Sequence, residues 1–239
     1  MINKYFRYIL LSGLLALTLA PSAQASNEGR RYVLEMVVFS YETNSTGVAE
    51  TWPTDLQIEL PDRYLGLHRK SSFNKSQLSK MQPANESDMG QLPLSRQQID
   101  MLQQGYLPEY FLRSSRLYTL GSKKRRLENQ DDIRILFHEA WQMPVYGKNK
   151  NRTLPIRIQG GKQVNNRYEL DGTITVSVAR YLHIDTNLFL SKFQSAEGEQ
   201  VLTQVIPMQQ SRRMRSKELH YIDHPKFGIL IYFTPFPGG

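Results

Sequence analysis

The chain has 239 residues, no cysteine and a formal net charge of +8. The missing cysteines exclude a disulfide framework, thiol chemistry and lipid attachment at a cysteine. With 40% hydrophobic residues the chain can bury a core, and its basic balance favours a polyanionic partner without selecting one.

Residues 1–25 read as a secretory signal. Lys4 and Arg7 give a positive start, Tyr8 to Ala20 a short apolar run, and Ala23-Gln24-Ala25 the small residues a peptidase accepts, with cleavage expected after Ala25. The apolar run falls short of the roughly 20 residues that span a bilayer. The expectation is a periplasmic protein, not membrane-spanning once cleaved, with 26–239 as a single domain. Loss of Lys4 and Arg7 lowers the formal charge from +8 to +6. Export argues against nucleic acid as the polyanion and leaves wall material, lipid headgroups, surface polysaccharide or acidic proteins.

Arg31 to Phe39 (RYVLEMVVF) is β-rich and predicts the first strand. A Gly/Asn/Ser/Thr loop follows and ends in Glu50-Thr51-Trp52-Pro53. From Gly66 to Pro93 apolar residues thin out, predicting a mobile polar insertion. Leu94 to Gln104 has helical spacing with Ser95 as cap, and Tyr110 to Glu128 contains a second helix weakened by Gly121. Its Lys123 to Arg126 run reads as a solvated face. Asp132 to Phe137 is strand-like and leads into His138-Glu139-Ala140-Trp141, with Met143-Pro144 as the stop. Ile156 to Ile158 reads as a short strand bounded by Gly160-Gly161. Thr173 to Asp185 alternates, with Ile174, Val176, Val178, Leu182 and Ile184 on one side, which predicts one long half-buried strand. Arg180 is its misfit. Ser195 to Glu199 reverses the chain into Val201 to Ile206, and Leu219 to Ile222 and Ile229 to Phe233 flank a turn. The fold class expected is α+β: an antiparallel sheet with a C-terminal β-meander and a few helices.

The densest chemistry is SRRMRSKELHYIDHPKFG, Ser211 to Gly228. His220, Asp223 and His224 are ligand types for zinc, and His183 could join them from a neighbouring strand. Against a metal, Pro225 pushes His224 away from helical geometry. In a strand, Asp223 points away from the two histidines. Asp223-His224-Pro225 is equally good turn chemistry, so no metal is assigned. Arg212, Arg213 and Arg215 suit bidentate binding of carboxylate or phosphate. Trp52 and Trp141 are candidates for stacking on sugar rings. No GxSxG elbow or SxxK motif is present, and Glu139 beside His138 is the weak candidate for acid/base work.

Several blocks resemble the CsiV family of peptidoglycan-binding proteins: RYVLEMVVF, ETWP, HEAWQMP at His138 to Pro144, ARYLHID at Ala179 to Asp185, and SRRMRSKELHYIDHPKFGILI at Ser211 to Ile231. The resemblance implies a periplasmic, non-catalytic protein without cofactor. Its partners would be peptidoglycan and the outer-membrane lipoprotein activator (LpoA) of a class A penicillin-binding protein, in support of wall synthesis and cell shape. It brings no residue-level site. The residues expected to contact ligand or partner are Arg212, Arg213, Arg215, His220, Asp223, His224, Trp52, Trp141 and His183. Two other classes stay open: a wall hydrolase, metal-dependent if HYIDH holds an ion, and a protein-only adaptor without glycan affinity.

Overall fold

The computed structural model describes residues 30–42, 52, 56–67, 114–148 and 153–236. Among them, eight strands form two four-stranded antiparallel sheets. The first sheet has the order β2-β1-β8-β7, from β1 (Arg30–Tyr41), β2 (Ile133–Val145), β7 (Leu219–Ile222) and β8 (Phe227–Pro235). The second has the order β3-β4-β5-β6, from β3 (Ile156–Val164), β4 (Arg167–Val178), β5 (Leu182–Ala196) and β6 (Glu199–Met214). One α-helix, α1 (Gly121–Glu128), and a 3₁₀ turn at Ser115–Leu117 complete the described elements. The architecture is therefore mostly antiparallel β. The helix expected at 94–104 and all but the first two residues of the 66–93 insertion lie outside the described residues.

One hydrophobic core fills the space between the sheets. Leu34, Met36 and Val38 of β1 and Ile231 and Phe233 of β8 share it with Ile158, Ile174, Ile184, Leu188 and Ile206 of the second sheet. β1 is buried on its other face too, through Glu35, Val37 and Phe39. This is why its sequence is a nearly continuous apolar run rather than an alternating one. Arg134 of β2 reaches across to β4, its Nη1 and Nη2 each donating at 2.9 Å to the Glu169 carboxylate.

β3 to β6 form an uninterrupted meander. Asn165 and Asn166 (φ 47° and 62°) close the first hairpin, and Glu197 and Gly198 (φ 54° and 87°) close the last. Both are two-residue loops in left-handed geometry, whose twist matches the flanking strands. Gly172 is the packing exception inside β4. Its φ is +140°, and a Cβ there would lie 2.2 Å from the Asn187 carbonyl oxygen.

The expected 173–185 strand is two strands. The chain reverses at Ala179-Arg180-Tyr181, where the Ala179 N–H donates to the Tyr181 carbonyl at 3.0 Å. The misfit Arg180 sits at that turn. Met143-Pro144 does not stop β2, which runs on to Val145. Gly160-Gly161 does not end β3, which passes through a register shift there and continues to Val164. β6 is also longer than expected and carries Arg212 and Arg213 within it. Pro144 and Pro207 are tolerated because β2 and β6 are sheet edges. The last two strands do not extend the meander. After β6 the chain crosses to the first sheet, where β8 pairs with β1. Gly121 opens α1 rather than weakening its middle.

Candidate functional site

Three guanidinium groups surround one tyrosine at the far end of the second sheet. The Cζ atoms of Arg213, Arg180 and Arg215 lie 4.8, 5.6 and 5.6 Å from the Tyr181 ring centroid. Two separate chain reversals bring them together. Tyr181 and Arg180 come from the β4–β5 turn, while Arg213 is carried in by β6, opposite His183 of β5. A ring face attracts cations, and planar guanidinium forks suit carboxylates. All three arginines are exposed. Arg215 has Glu218 at 3.7 Å, whereas Arg180 and Arg213 have no carboxylate within ion-pair distance among the described residues. The cluster is thus a concentration of positive charge held in place but largely uncompensated.

Arg212, expected to act with its neighbours, points differently. It pairs with the core residue Ile184, so it leaves β6 on the core side, and it stays exposed because β6 is an edge. Directly opposed residues in an antiparallel pair share a face, which separates Arg212 from Arg213. His183 is half-buried beside Arg213 on the outer face.

The HYIDH residues shape turns. His220 Nε2 faces the backbone of Arg215, 3.1 Å from its nitrogen and 3.0 Å from its oxygen, closing the β6–β7 connection. His224 Nδ1 accepts from the Lys226 N–H at 3.2 Å. The Asp223 carboxylate accepts from the Tyr221 hydroxyl, and its carbonyl accepts from Gln210 Nε2 at 2.9 Å, linking the sheets. Burial, Asp223 and the Tyr41 hydroxyl at 2.6 Å push the Tyr221 phenol above its ordinary value, so it remains a donor. The Tyr221 ring stacks on Phe39 with centroids 6.3 Å apart. It does so over Gly228, where a Cβ would lie 2.6 Å from the Phe39 ring. Among the described residues no three His, Asp or Glu side chains lie together as a metal site.

The tryptophans divide. Trp141 is 0% exposed in the core and has no ring face to offer a sugar. Trp52 packs partly buried against the core, its ring 5.2 Å from that of His224.

Glu35 is the polar centre that the sequence reading missed. It is 1% exposed on the outer face of β1. Its carboxylate accepts from the Thr119 N–H and hydroxyl at 2.6 Å, the Leu120 N–H at 3.0 Å and His138 Nε2 at 2.8 Å. Burial alone would raise its pKa, but these hydrogen bonds outweigh burial and hold it below the usual carboxylate range. Thr119 and Leu120 lead into α1, so Glu35 fixes the helix start to the sheet. His138 is thereby engaged by Glu35, while Glu139 takes the Tyr118 hydroxyl at 3.0 Å. The available signal was a lone acid inside an apolar strand.

The described residues thus form an antiparallel β scaffold that carries an exposed cluster of arginines around Tyr181. The comparison with known families is specific. The chain belongs to the CsiV family, described as peptidoglycan-binding protein, whose family model matches residues 9–236. No curated protein and no solved structure matches the chain. No helix among the described residues is long and apolar enough to cross a membrane.

Proposed function

We propose that this protein is a periplasmic, non-catalytic peptidoglycan-binding module that supports wall synthesis and cell shape through the lipoprotein activator LpoA of a class A penicillin-binding protein. Family membership supports the ligand class. The observation that carries the residue assignment is the ring of Arg180, Arg213 and Arg215 around Tyr181. Peptide stems of the wall end in carboxylates. An anion entering this cluster relieves repulsion between like charges and gains charge-assisted hydrogen bonds. His220, Asp223 and His224 act indirectly, by fixing the turns beside it.

The test is co-sedimentation with purified sacculi. Replacing Arg180, Arg213 and Arg215 together by alanine should weaken pelleting by about tenfold or more, with an unchanged far-UV spectrum. Arg212→Ala should pellet like the parent protein. Equal pelleting of the triple variant would remove the cluster from the binding site. Release of soluble muropeptides by the parent protein would make it a hydrolase instead. Capture of the lipoprotein activator without any pelleting would make it a protein-only adaptor.

A further inference from the structure

The outer face of the second sheet carries another feature, well away from the arginines. Residues 56–61 run over this face and leave a cleft of about 880 Å³, within the size range of sites that hold small molecules. The segment is anchored rather than merely adjacent. The Leu65 N–H donates to the Pro155 carbonyl at 2.8 Å, and the Arg157 N–H donates to the Leu65 carbonyl at 2.8 Å. Arg157 also donates from Nη1 to the Tyr64 hydroxyl at 3.2 Å and from Nη2 to Asp171 at 2.9 Å.

The floor is ordered by strand register. Thr173 of β4 lies opposite Asn187 of β5, which lies opposite Gln209 of β6. These side chains make one polar row across three strands, with Gln209 Nε2 donating to Asn187 Oδ1 at 2.9 Å. The next row is apolar on the same two strands, Phe189 opposite Pro207. Gln57 adds an amide from the covering segment. Among the described residues no lysine or arginine lines the cleft, and Glu59 is the one charged residue that does. In a protein of net charge +8, this described lining is neutral to acidic and offers no cation to a phosphate or carboxylate. Amide donors and acceptors beside a flat apolar strip match a pyranose ring, whose C–H face is apolar and whose rim carries hydroxyl and acetamido groups.

We propose that this cleft binds the neutral N-acetylated amino-sugar strand of the wall polymer. The inference rests on the peptidoglycan reading and divides that ligand between two places. From the Asn187/Gln209 row to the His183/Arg213 row is four residues along β5, or ~13 Å. A stem of four extended residues reaches about as far. A sugar seated in the cleft therefore sends its stem along β5 and β6 toward the arginine cluster.

The discriminating probe is a tetramer of N-acetylglucosamine, which has neither peptide nor carboxylate. It is titrated calorimetrically into the full chain, with sacculus pelleting run in parallel. The tetramer should bind. Asn187→Ala combined with Gln209→Ala should weaken it by about tenfold, while the Arg180/Arg213/Arg215 alanine variant should bind it normally. Pro207→Glu, which puts a charge on the apolar strip of an edge strand, serves as the second cleft variant. Pelleting of sacculi without tetramer binding overturns the cleft assignment and leaves the proposed function standing. Tetramer binding that both cleft variants retain also overturns it. Failure of both ligands overturns the peptidoglycan reading itself, and this inference with it.

Discussion

Glu35 shows how one buried charge is made tolerable. A carboxylate buried from water is costly unless its oxygens are fully used, and here backbone N–H groups, a hydroxyl and an imidazole supply the partners. α1 has no side-chain cap of its own, and its first turns hold Lys123 and Lys124, unfavourable near the positive end of a helix. The Glu35 charge beside Leu120 offsets both deficits. A lowered carboxyl pKa fixes the sign of the pH effect. Its stabilisation is complete above the unfolded-state value of about 4.3 and is lost as pH falls through the lower folded-state value. Glu35→Gln should therefore cost about 2–3 kcal/mol at pH 7, measured by urea unfolding. The gap between parent and variant should shrink as pH is lowered from 5 toward 3. A gap that stays constant over that range would sink this account. Glu42, whose pKa is also lowered, contributes equally to both proteins and cancels in the difference.

At the level of elements, what the sequence reveals depends on whether a turn disturbs the alternation. The reversal at 195–199 is legible because Glu197-Gly198 is turn chemistry between strands. The reversal at 179–181 is not. Val178 pairs with Leu182, so a three-residue turn returns the chain on the same face. Apolar residues then stay at even positions through the turn, and no Gly, Pro or Asn marks it. Arg180 was the sole sign, an exposed residue where the pattern asked for a buried one. The same hidden turn conceals half of the candidate site. Arg213 and Arg215 stand out as clustered cations, but Tyr181 and Arg180 meet them only through the β5–β6 register. Trp141 was misread because an aromatic ring carries no mark of which face it will take. The strap at 56–67 was equally invisible, since its anchor is the non-local group formed by Arg157, Asp171 and Tyr64. Burial pulls the pKa of Arg157 down most strongly, but the hydrogen bonds and charge interactions with Asp171 and Tyr64 together outweigh it and hold the guanidinium above its ordinary value. Replacing Arg157 by methionine leaves the buried Asp171 short of its main partner and releases Tyr64. The free energy of local opening should fall by about 2 kcal/mol, read as faster hydrogen exchange at the Leu65 amide. Unaltered protection there would mean that the strap is held by its backbone bonds alone.

Across the whole molecule, the decisive feature is that neither sheet owns the core. Leu34 and Met36 of β1 and Ile231 and Phe233 of β8 complete the same cluster as Ile174, Ile184 and Leu188. If one sheet opened, the inner face of the other would lie bare to water, at about 25 cal/mol for every Å² of apolar surface exposed. The connectivity works the same way. β8 cannot leave β1 without loosening β7, whose strand pairing among the described residues is with β8 alone, and the Arg134–Glu169 pair spans both layers. Independent melting of the two sheets is thus disfavoured at each step, and the expected behaviour is a single cooperative transition. Backbone loss followed by far-UV circular dichroism and side-chain packing followed in the near-UV should give superimposable urea curves. Trp141 tests the same coupling from inside. It belongs to β2 of the first sheet but is fully buried in the shared core. Trp141→Ala should remove about 3–5 kcal/mol and shift both curves by the same amount. A variant whose near-UV signal melts first while the meander β3–β6 keeps its backbone signal would show that the second sheet stands without the first. The shared core would then be a contact between two separately stable halves.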